Sequence, residues 1–380
     1  MQFGSSITDI ELNPYKFVSI LPKLEALAAG QDIFPVTVEL DPVNYCNHKC
    51  RWCVDPYHGQ SCISLNFAER LFGEFEEIGV AGVVFKGGGE PTLHPEFSRL
   101  LETASKCKFE VGVVTNGSRI NGIADVLASY ADYVRVSIDG PTPSSHRYVH
   151  GSDDFEHVVG GAKKLLEIRN KSNQRHPIVG LSFAMDFGMI DLVDAALKLG
   201  EQVKSDYILF RPPFFEEVGA QATNSPLESF KLRKQFVDAA NGYTGDMKIL
   251  VDHWISDQDA KYLNAYKGNS PRRGSYIMKN ANGIEHVTGR CLASPLLSVI
   301  TAEGDVYPCC NLRSIQKWRI GRINYEQGRT LKMILEGQER QEILTRIKKF
   351  ACAKHCTHPL SKYNEIIEYL KSPMHHKGFV

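Results

Sequence analysis

Cys46-Asn47-His48-Lys49-Cys50-Arg51-Trp52-Cys53 follows closely on the apolar run Phe34-Pro35-Val36-Thr37-Val38-Glu39-Leu40. Three thiolates spaced by three and then two residues, on a loop that leaves a strand, hold three corners of a cubane iron–sulfur cluster and leave the fourth iron without a protein ligand. That open corner lets a small molecule coordinate iron directly. Zinc, the other metal such thiols serve, needs a fourth ligand, which His48 inside the loop is able to supply. Buried structural thiols are the third reading.

Working outward from this loop, strand and helix patterns alternate. A helix is predicted over Asn66–Ile78, with Leu71, Phe72, Phe75 and Ile78 as its buried stripe. Strand Gly82–Lys86, helix Glu96–Lys106, strand Glu110–Val114, helix Ile123–Tyr130, strand Tyr133–Ile138 and helix Phe155–Asn170 follow. Strand Val179–Ala184, helix Asp191–Leu199 and strand Asp206–Phe210 complete the series. Six such units between residues 34 and 211 imply a parallel sheet covered by helices. In barrels of this construction the reacting groups stand where strands end. Three strand ends carry marked residues: Gly87-Gly88-Gly89-Glu90-Pro91, then Val114-Thr115-Asn116-Gly117, then Ser137-Ile138-Asp139-Gly140-Pro141. The glycine run allows close backbone approach to a ligand; the other two also read as ordinary turns.

The three-cysteine loop with an aromatic residue before its last cysteine, and the glycine run one strand–helix unit later, resemble the radical S-adenosylmethionine (radical SAM) superfamily. The resemblance implies an α/β fold, a partial (βα)6 barrel over residues 34–255. It implies a [4Fe-4S] cluster on Cys46, Cys50 and Cys53, whose open iron is chelated by the methionyl amine and carboxylate of SAM. An electron, from a flavodoxin- or ferredoxin-type donor, then cleaves SAM to a 5′-deoxyadenosyl radical that abstracts hydrogen from the substrate. Trp52, Gly87, Gly88, Gly89, Glu90, Asn116 and Ser137 become expected SAM contacts. Related enzymes often carry an arginine a few residues past the Asp-Gly-Pro turn, for the SAM carboxylate. Here the stretch is Ser145-His146-Arg147-Tyr148-Val149-His150-Gly151, with His150 in the usual arginine place and Arg147 one turn earlier. Both are expected near SAM, the alternative being a solvated basic loop. Arg211, held by the stiff Pro212-Pro213 segment, is expected at the barrel mouth. His253, after the run Met247–Val251, is a candidate base or a structural histidine.

The tail is cysteine-rich. Cys291, the alternating run Leu296–Thr301, a glycine turn at Gly304, and Cys309-Cys310 read as a β-hairpin. A helix over Lys332–Lys349 leads to Cys352 and Cys356. This resembles the twitch domain, the short relative of the SPASM domain, a small α+β unit that carries one auxiliary [4Fe-4S] cluster on Cys291, Cys309, Cys352 and Cys356. Four-cysteine zinc is the competing reading. Spacing favours Cys309 over the adjacent Cys310, which is then spare. The expected organisation is an N-terminal extension over 1–33, the barrel over 34–255, the twitch/SPASM-like domain over 256–362 and a tail over 363–380.

The chain has 380 residues, 43% of them hydrophobic, with 44 Lys and Arg balanced by 44 Asp and Glu. It is long enough for one large and one small domain, and nothing in it suggests a nucleic-acid surface. No signal architecture or membrane span is readable, and the clustered cysteines suit metal ligation in the cytoplasm better than disulfides. The expected reaction is hydrogen abstraction from a small polar substrate, a sugar or aminocyclitol, oxidising a carbinol to a ketone while the auxiliary cluster accepts an electron. An epimerase drawing hydrogen from a thiol (Cys310, Cys62 or Cys107), a ribosomal-peptide maturase and an iron–sulfur electron carrier are the alternatives.

Overall fold

The computed structural model describes residues 14–53, 55, 59–211, 226–251, 276–279, 285–288, 291–349 and 361–371. After helix α1 (Leu21–Ala28), the alternation begins with β1 (Thr37–Leu40), α2 (Leu65–Glu77), β2 (Gly82–Phe85) and α3 (Phe97–Ser105). It continues through β3 (Glu110–Thr115), α4 (Ile120–Tyr130), β4 (Tyr133–Ser137), α5 (Pro143–His150), α6 (Phe155–Lys171) and β5 (Ile178–Ala184). Then come α7 (Val193–Val203), β6 (Tyr207–Arg211), α8 (Pro226–Gly242) and β7 (Lys248–Val251). Strands β1 to β7 pair in sequence order and all in parallel. The run at Met247–Val251 thus supplies a seventh parallel strand beyond the six expected units.

Alternation along each strand sorts its side chains onto two faces. Val38, Leu40, Val83, Phe85, Val111, Val113, Val134, Val136, Leu181 and Phe183 join the core beneath the helices. Helix α2 starts where the Ser64 side chain accepts from Phe67 N at 3.1 Å, and it buries the expected stripe of Leu71, Phe72 and Phe75. Phe72 meets Phe85 and Phe109 edge-on, at 6.2 and 5.8 Å. Each fully buried phenylalanine contributes about 1.5–3 kcal/mol, which is what clamps helix to sheet. The opposite face, toward the barrel lumen, carries Glu39, Tyr133, Arg135, Ser182, Tyr207 and Arg211.

The C-terminal segment adds to this sheet. Strands β8 (Tyr276–Lys279) and β9 (Glu285–Thr288) make a separate antiparallel pair. The expected hairpin is β10 (Leu297–Ile300) with β11 (Asp305–Tyr307), which turns at Gly304 with φ 79°. Strand β10 lies parallel to β1, Thr37 opposite Leu297 and Leu40 opposite Ile300. With β12 (Gly321–Arg322) the result is one ten-stranded sheet, in the order β12-β11-β10-β1-β2-β3-β4-β5-β6-β7. The predicted helix over Lys332–Lys349 is two helices, α9 (Leu331–Glu336) and α10 (Gln338–Lys349), broken where Gly337 is extended. Helix α11 (Ser361–Lys371) packs against α1, Ile367 burying with Leu24 and Leu27.

Candidate active site

The cluster loop follows β1 and rests on two other segments. Lys49 N donates to His150 O at 3.0 Å and Arg51 N to Val149 O at 2.7 Å, so the last turn of α5 carries the loop. That approach is close because α5 ends at Gly151, φ 62°, where a Cβ would stand 3.1 Å from Lys49 O. On the other side Glu90 N donates to Tyr45 O at 2.9 Å. A Cβ on Gly89 would lie 2.2 Å from Tyr45 O, so only glycine fits there. The glycine run therefore packs its backbone against the entrance to the three-cysteine loop. Gly88 faces Asp55 and Gly87 faces Asp41.

Cys46, Cys50 and Cys53 are partly exposed; Cys46 feels the charge of Cys53, and Cys50 that of both others. Burial pushes the Cys46 thiol up to about 11, and raises Cys53 and still more strongly Cys50, beside the Asp139 carboxylate. Three neighbouring thiolates are therefore unfavourable here until a cationic metal centre replaces their protons. Trp52 is 9% exposed and its buried Nε1 has no hydrogen-bond partner among the described residues. Such an orphan donor fits a bound ligand. The donor set thus fits an iron–sulfur cluster with a small-molecule ligand beside it.

Other expected contacts gather at this end of the strands. Asn116 Nδ2 donates to Asn47 Oδ1 at 3.0 Å and lies 3.9 Å from Cys46 Sγ. Glu90 is buried and its carboxylate accepts from Thr92 N at 3.0 Å, Thr115 Oγ1 at 2.6 Å and Asn116 N at 2.7 Å. It thereby ties the glycine run to the end of β3. Burial raises the Glu90 carboxyl, and those donors pull it back. Ser137 sits opposite Ser182 on the lumen face. Arg211, at the end of β6, lends its charge to Asp139. Burial alone would raise the Asp139 carboxyl, but His150, Arg211 and the Ala184 amide hold it below its ordinary value. Arg147 is not brought to this group: it is exposed and pairs with Asp153. His150 is fully buried under the loop, its Nδ1 3.2 Å from Cys50 Sγ. His253, Cys352 and Cys356 lie outside the described residues.

In the tail, Cys291 and Cys309 come to the same end of the β10–β11 pair, Cys309 buried and Cys291 partly so. Cys310 differs in setting: its charge is felt by Lys86 and by Arg313. Several residues here carried no local sequence signal. Arg313 reaches from the β11–β12 connection to Asp41, 2.5 Å between Nη2 and Oδ1, both side chains buried. Lys86 Nζ bonds Glu39 Oε1 at 2.9 Å. His146 and Asp154 complete a histidine cluster behind Cys50.

Residues 40–181 match the family profile of the radical SAM superfamily, and residues 291–358 match that of the SPASM iron–sulfur cluster-binding domain. The chain carries a radical SAM domain followed by a SPASM domain. It is a radical SAM enzyme with a C-terminal SPASM domain, using a [4Fe-4S] cluster, SAM and auxiliary iron–sulfur ligation. The GTP 3′,8-cyclase of Mannheimia succiniciproducens is 29% identical over 139 residues, 34% of this chain and 41% of that protein. A probable GTP 3′,8-cyclase of Thermococcus kodakarensis is 26% identical over 174 residues, 44% and 55% of the two. The chain thus spans about half or less of these relatives' length. Among solved structures, SuiB of Streptococcus suis bound to S-adenosylmethionine superposes with a TM-score of 0.62 at 17% identity, covering 88% of this chain and 73% of SuiB. Native anSMEcpe with AdoMet and a peptide gives 0.59 at 18%, covering 88% and 98%. At such identities the likeness is one of fold. Among the described residues no helix is long and apolar enough to cross a membrane.

Proposed function

We propose that this radical SAM enzyme takes a hydrogen atom from a small, polar, hydroxylated substrate in the barrel lumen and oxidises a carbinol carbon to a carbonyl. The observation that carries this reading is the polar lumen face beside the cluster loop. Ser182 is fully buried there, its Oγ without a hydrogen-bond partner among the described residues, on the face that also carries buried Arg135 and, on β1, Glu39 held by Lys86. Buried polar groups of this kind await a polar ligand. When bound, the cluster on Cys46, Cys50 and Cys53 and SAM supply the hydrogen-abstracting radical, and the auxiliary cluster supplies an acceptor for the second electron. Glu39, held by Lys86, is the carboxylate placed to take the hydroxyl proton. The substrate then loses one hydrogen atom, one proton and one electron, which is the balance of a carbinol oxidation. An external electron donor must reduce the first cluster.

One observation favours a second reading. Cys310 stands within electrostatic reach of Lys86 and Arg313, whereas Cys62 is exposed and Cys107 lies before β3, at the far end of the strands. Cys310 is the thiol placed to return a hydrogen atom to a substrate radical, which would make the enzyme an epimerase. The relatives' names point to a nucleotide for the cyclases and to a peptide for SuiB. They share with this chain the SAM-handling half or the fold, and neither substrate accounts for Ser182 and its neighbours better than a sugar or aminocyclitol does.

The test is turnover in deuterated water with a panel of sugars and aminocyclitols. Oxidation gives a carbonyl product two hydrogens lighter and consumes one SAM per turnover. One deuterium at an inverted carbon, abolished by Cys310→Ala with both clusters retained, overturns the oxidation in favour of epimerisation.

A further inference from the structure

Behind Cys50 lies a buried group of histidines. His48, His146 and His150 are 2%, 0% and 1% exposed. His150 Nδ1 stands 3.2 Å from Cys50 Sγ and 3.2 Å from His48 Nδ1. His48 Nε2 reaches Asp154 Oδ2 at 2.9 Å. The His150 ring is stacked on His146, centroids 4.5 Å apart and 22° between planes, and His146 is itself held between Ile138 O at 3.0 Å and Asp154 Oδ1 at 3.1 Å. His150 Nε2 lies 3.2 Å from Asp139 Oδ2, so with Nδ1 on Cys50 Sγ both nitrogens of this ring face acceptors.

The protons on these rings follow from their partners. A carboxylate only accepts, so His48 carries its hydrogen on Nε2 and presents Nδ1 as a lone pair. Two lone pairs facing at 3.2 Å repel, so the hydrogen between the histidines belongs to His150 Nδ1. That N–H is directed between His48 Nδ1 and Cys50 Sγ, and a metal-bound Cys50 thiolate can only accept from it. We infer that His150 is a positioning residue which donates an N–H···S hydrogen bond to Cys50 and so sets the reduction potential of the SAM-binding cluster, with His48, His146 and Asp154 fixing its ring. Hydrogen bonds to cluster sulfurs stabilise the more negative, reduced state and raise its potential. The inference rests on the cluster loop alone and is independent of the substrate.

The experiment is an anaerobic redox titration of the iron-loaded enzyme without substrate, followed by electron paramagnetic resonance of the SAM-binding cluster. In His150→Leu the donor is lost, and the reduced-to-oxidised ratio at a fixed poise should fall about tenfold, the size of one hydrogen bond to a charged group, or about 59 mV for one electron. In His150→Asn an amide N–H takes the place of Nδ1 and the ratio should stay within about twofold of wild type. An unchanged ratio in His150→Leu, with iron content retained, overturns the inference, and so does a loss of equal size in His150→Asn. Should His150→Leu fail to load iron, wild-type enzyme labelled with 15N-histidine decides: a weak histidine coupling to the reduced cluster is expected. No coupling overturns the inference. So does a single zinc ion bound by His48, Cys50 and His150, whose donor atoms lie within 4.8 Å of one another.

Discussion

The Asp41–Arg313 pair is the sharpest place to test how the C-terminal segment is fixed to the barrel. Its side chains are 2% and 3% exposed, Asp41 at the end of β1 and Arg313 beyond β11. Replacing Arg313 by Met leaves a carboxylate in a dry site, and removal of one partner of such a pair costs about 3–5 kcal/mol. The cost depends on pH. Burial already pushes the Asp41 carboxyl up to about 7 against the pull of Arg313. Without the guanidinium it rises further, so the stranded carboxyl escapes by taking a proton wherever the pH lies below that raised value, and the penalty relative to wild type grows as pH climbs from neutrality toward it. The β1–β10 seam, where Asp41 N donates to Ile300 O at 2.9 Å, should report the loss. Native-state hydrogen exchange of Asp41 and its neighbours in Arg313→Met should quicken about a hundredfold or more at pH 8. The effect should be clearly smaller at pH 6 once intrinsic exchange is corrected. Asp41→Leu combined with Arg313→Met should recover most of the protection, since two apolar groups leave no stranded charge. Less than about tenfold acceleration in the single variant at pH 8, or a double variant as fast as the single, would refute the reasoning.

Two further expectations concern the polar groups around the loop. Glu90→Gln puts an amide N–H₂ among Thr92, Thr115 and Asn116, all of which donate to Glu90; a stability loss of about 1–3 kcal/mol, read as a lower unfolding temperature, is expected, and an unchanged temperature contradicts it. For pH, burial would raise Asp154, but Ser152, His48 and His146 hold it down to about 2, while burial lowers His48 and His146. All three are depressed in the fold, so their stability is present above the unfolded-state values and is lost as pH falls, first through the histidine range and then, for Asp154, between about 4 and about 2. Asp154→Asn should flatten the lower part of an acid-unfolding curve, by about 1 kcal/mol once solvent screening of this partly exposed carboxylate is allowed for, and a curve parallel to wild type would sink that assignment.

The sheet was legible because its signal is local: β1 to β5 are short apolar runs ended within a few residues by glycine, asparagine or aspartate, and helix α2 shows its stripe within a dozen residues. Helix α5 was read as a turn or basic loop, because Pro143 follows an Asp-Gly-Pro sequence. In fact Pro143 is the first helical residue, and Thr142 and Ser145 close a reciprocal capping box, a pattern written in Thr142-Pro143-Ser144-Ser145. Missing that helix is what left Arg147 and His150 looking equivalent. On a helix residues three and four apart share a face, and capping at Thr142 turns the His146, Val149 and His150 face under the cluster loop while Arg147, at the edge of that face, is exposed to water.

What no local pattern could show is the pairing of groups far apart in sequence. Asp41 and Arg313 meet because β10 anneals to β1, and that register is set by two apolar strands that each read as ordinary elements of separate domains. The same annealing carries Cys310 toward Lys86 and the Glu39 pair. A seam between barrel and cluster domain thus does two jobs with one set of hydrogen bonds. It closes the open edge of the sheet that an unpaired β1 would expose, and it brings a thiol and a guanidinium from the tail to charged groups at the ends of β1 and β2. On the reaction proposed above, the outcome of the substrate radical would depend on groups from both sides of that seam, Glu39 from the barrel for loss of a proton or Cys310 from the tail for return of a hydrogen atom.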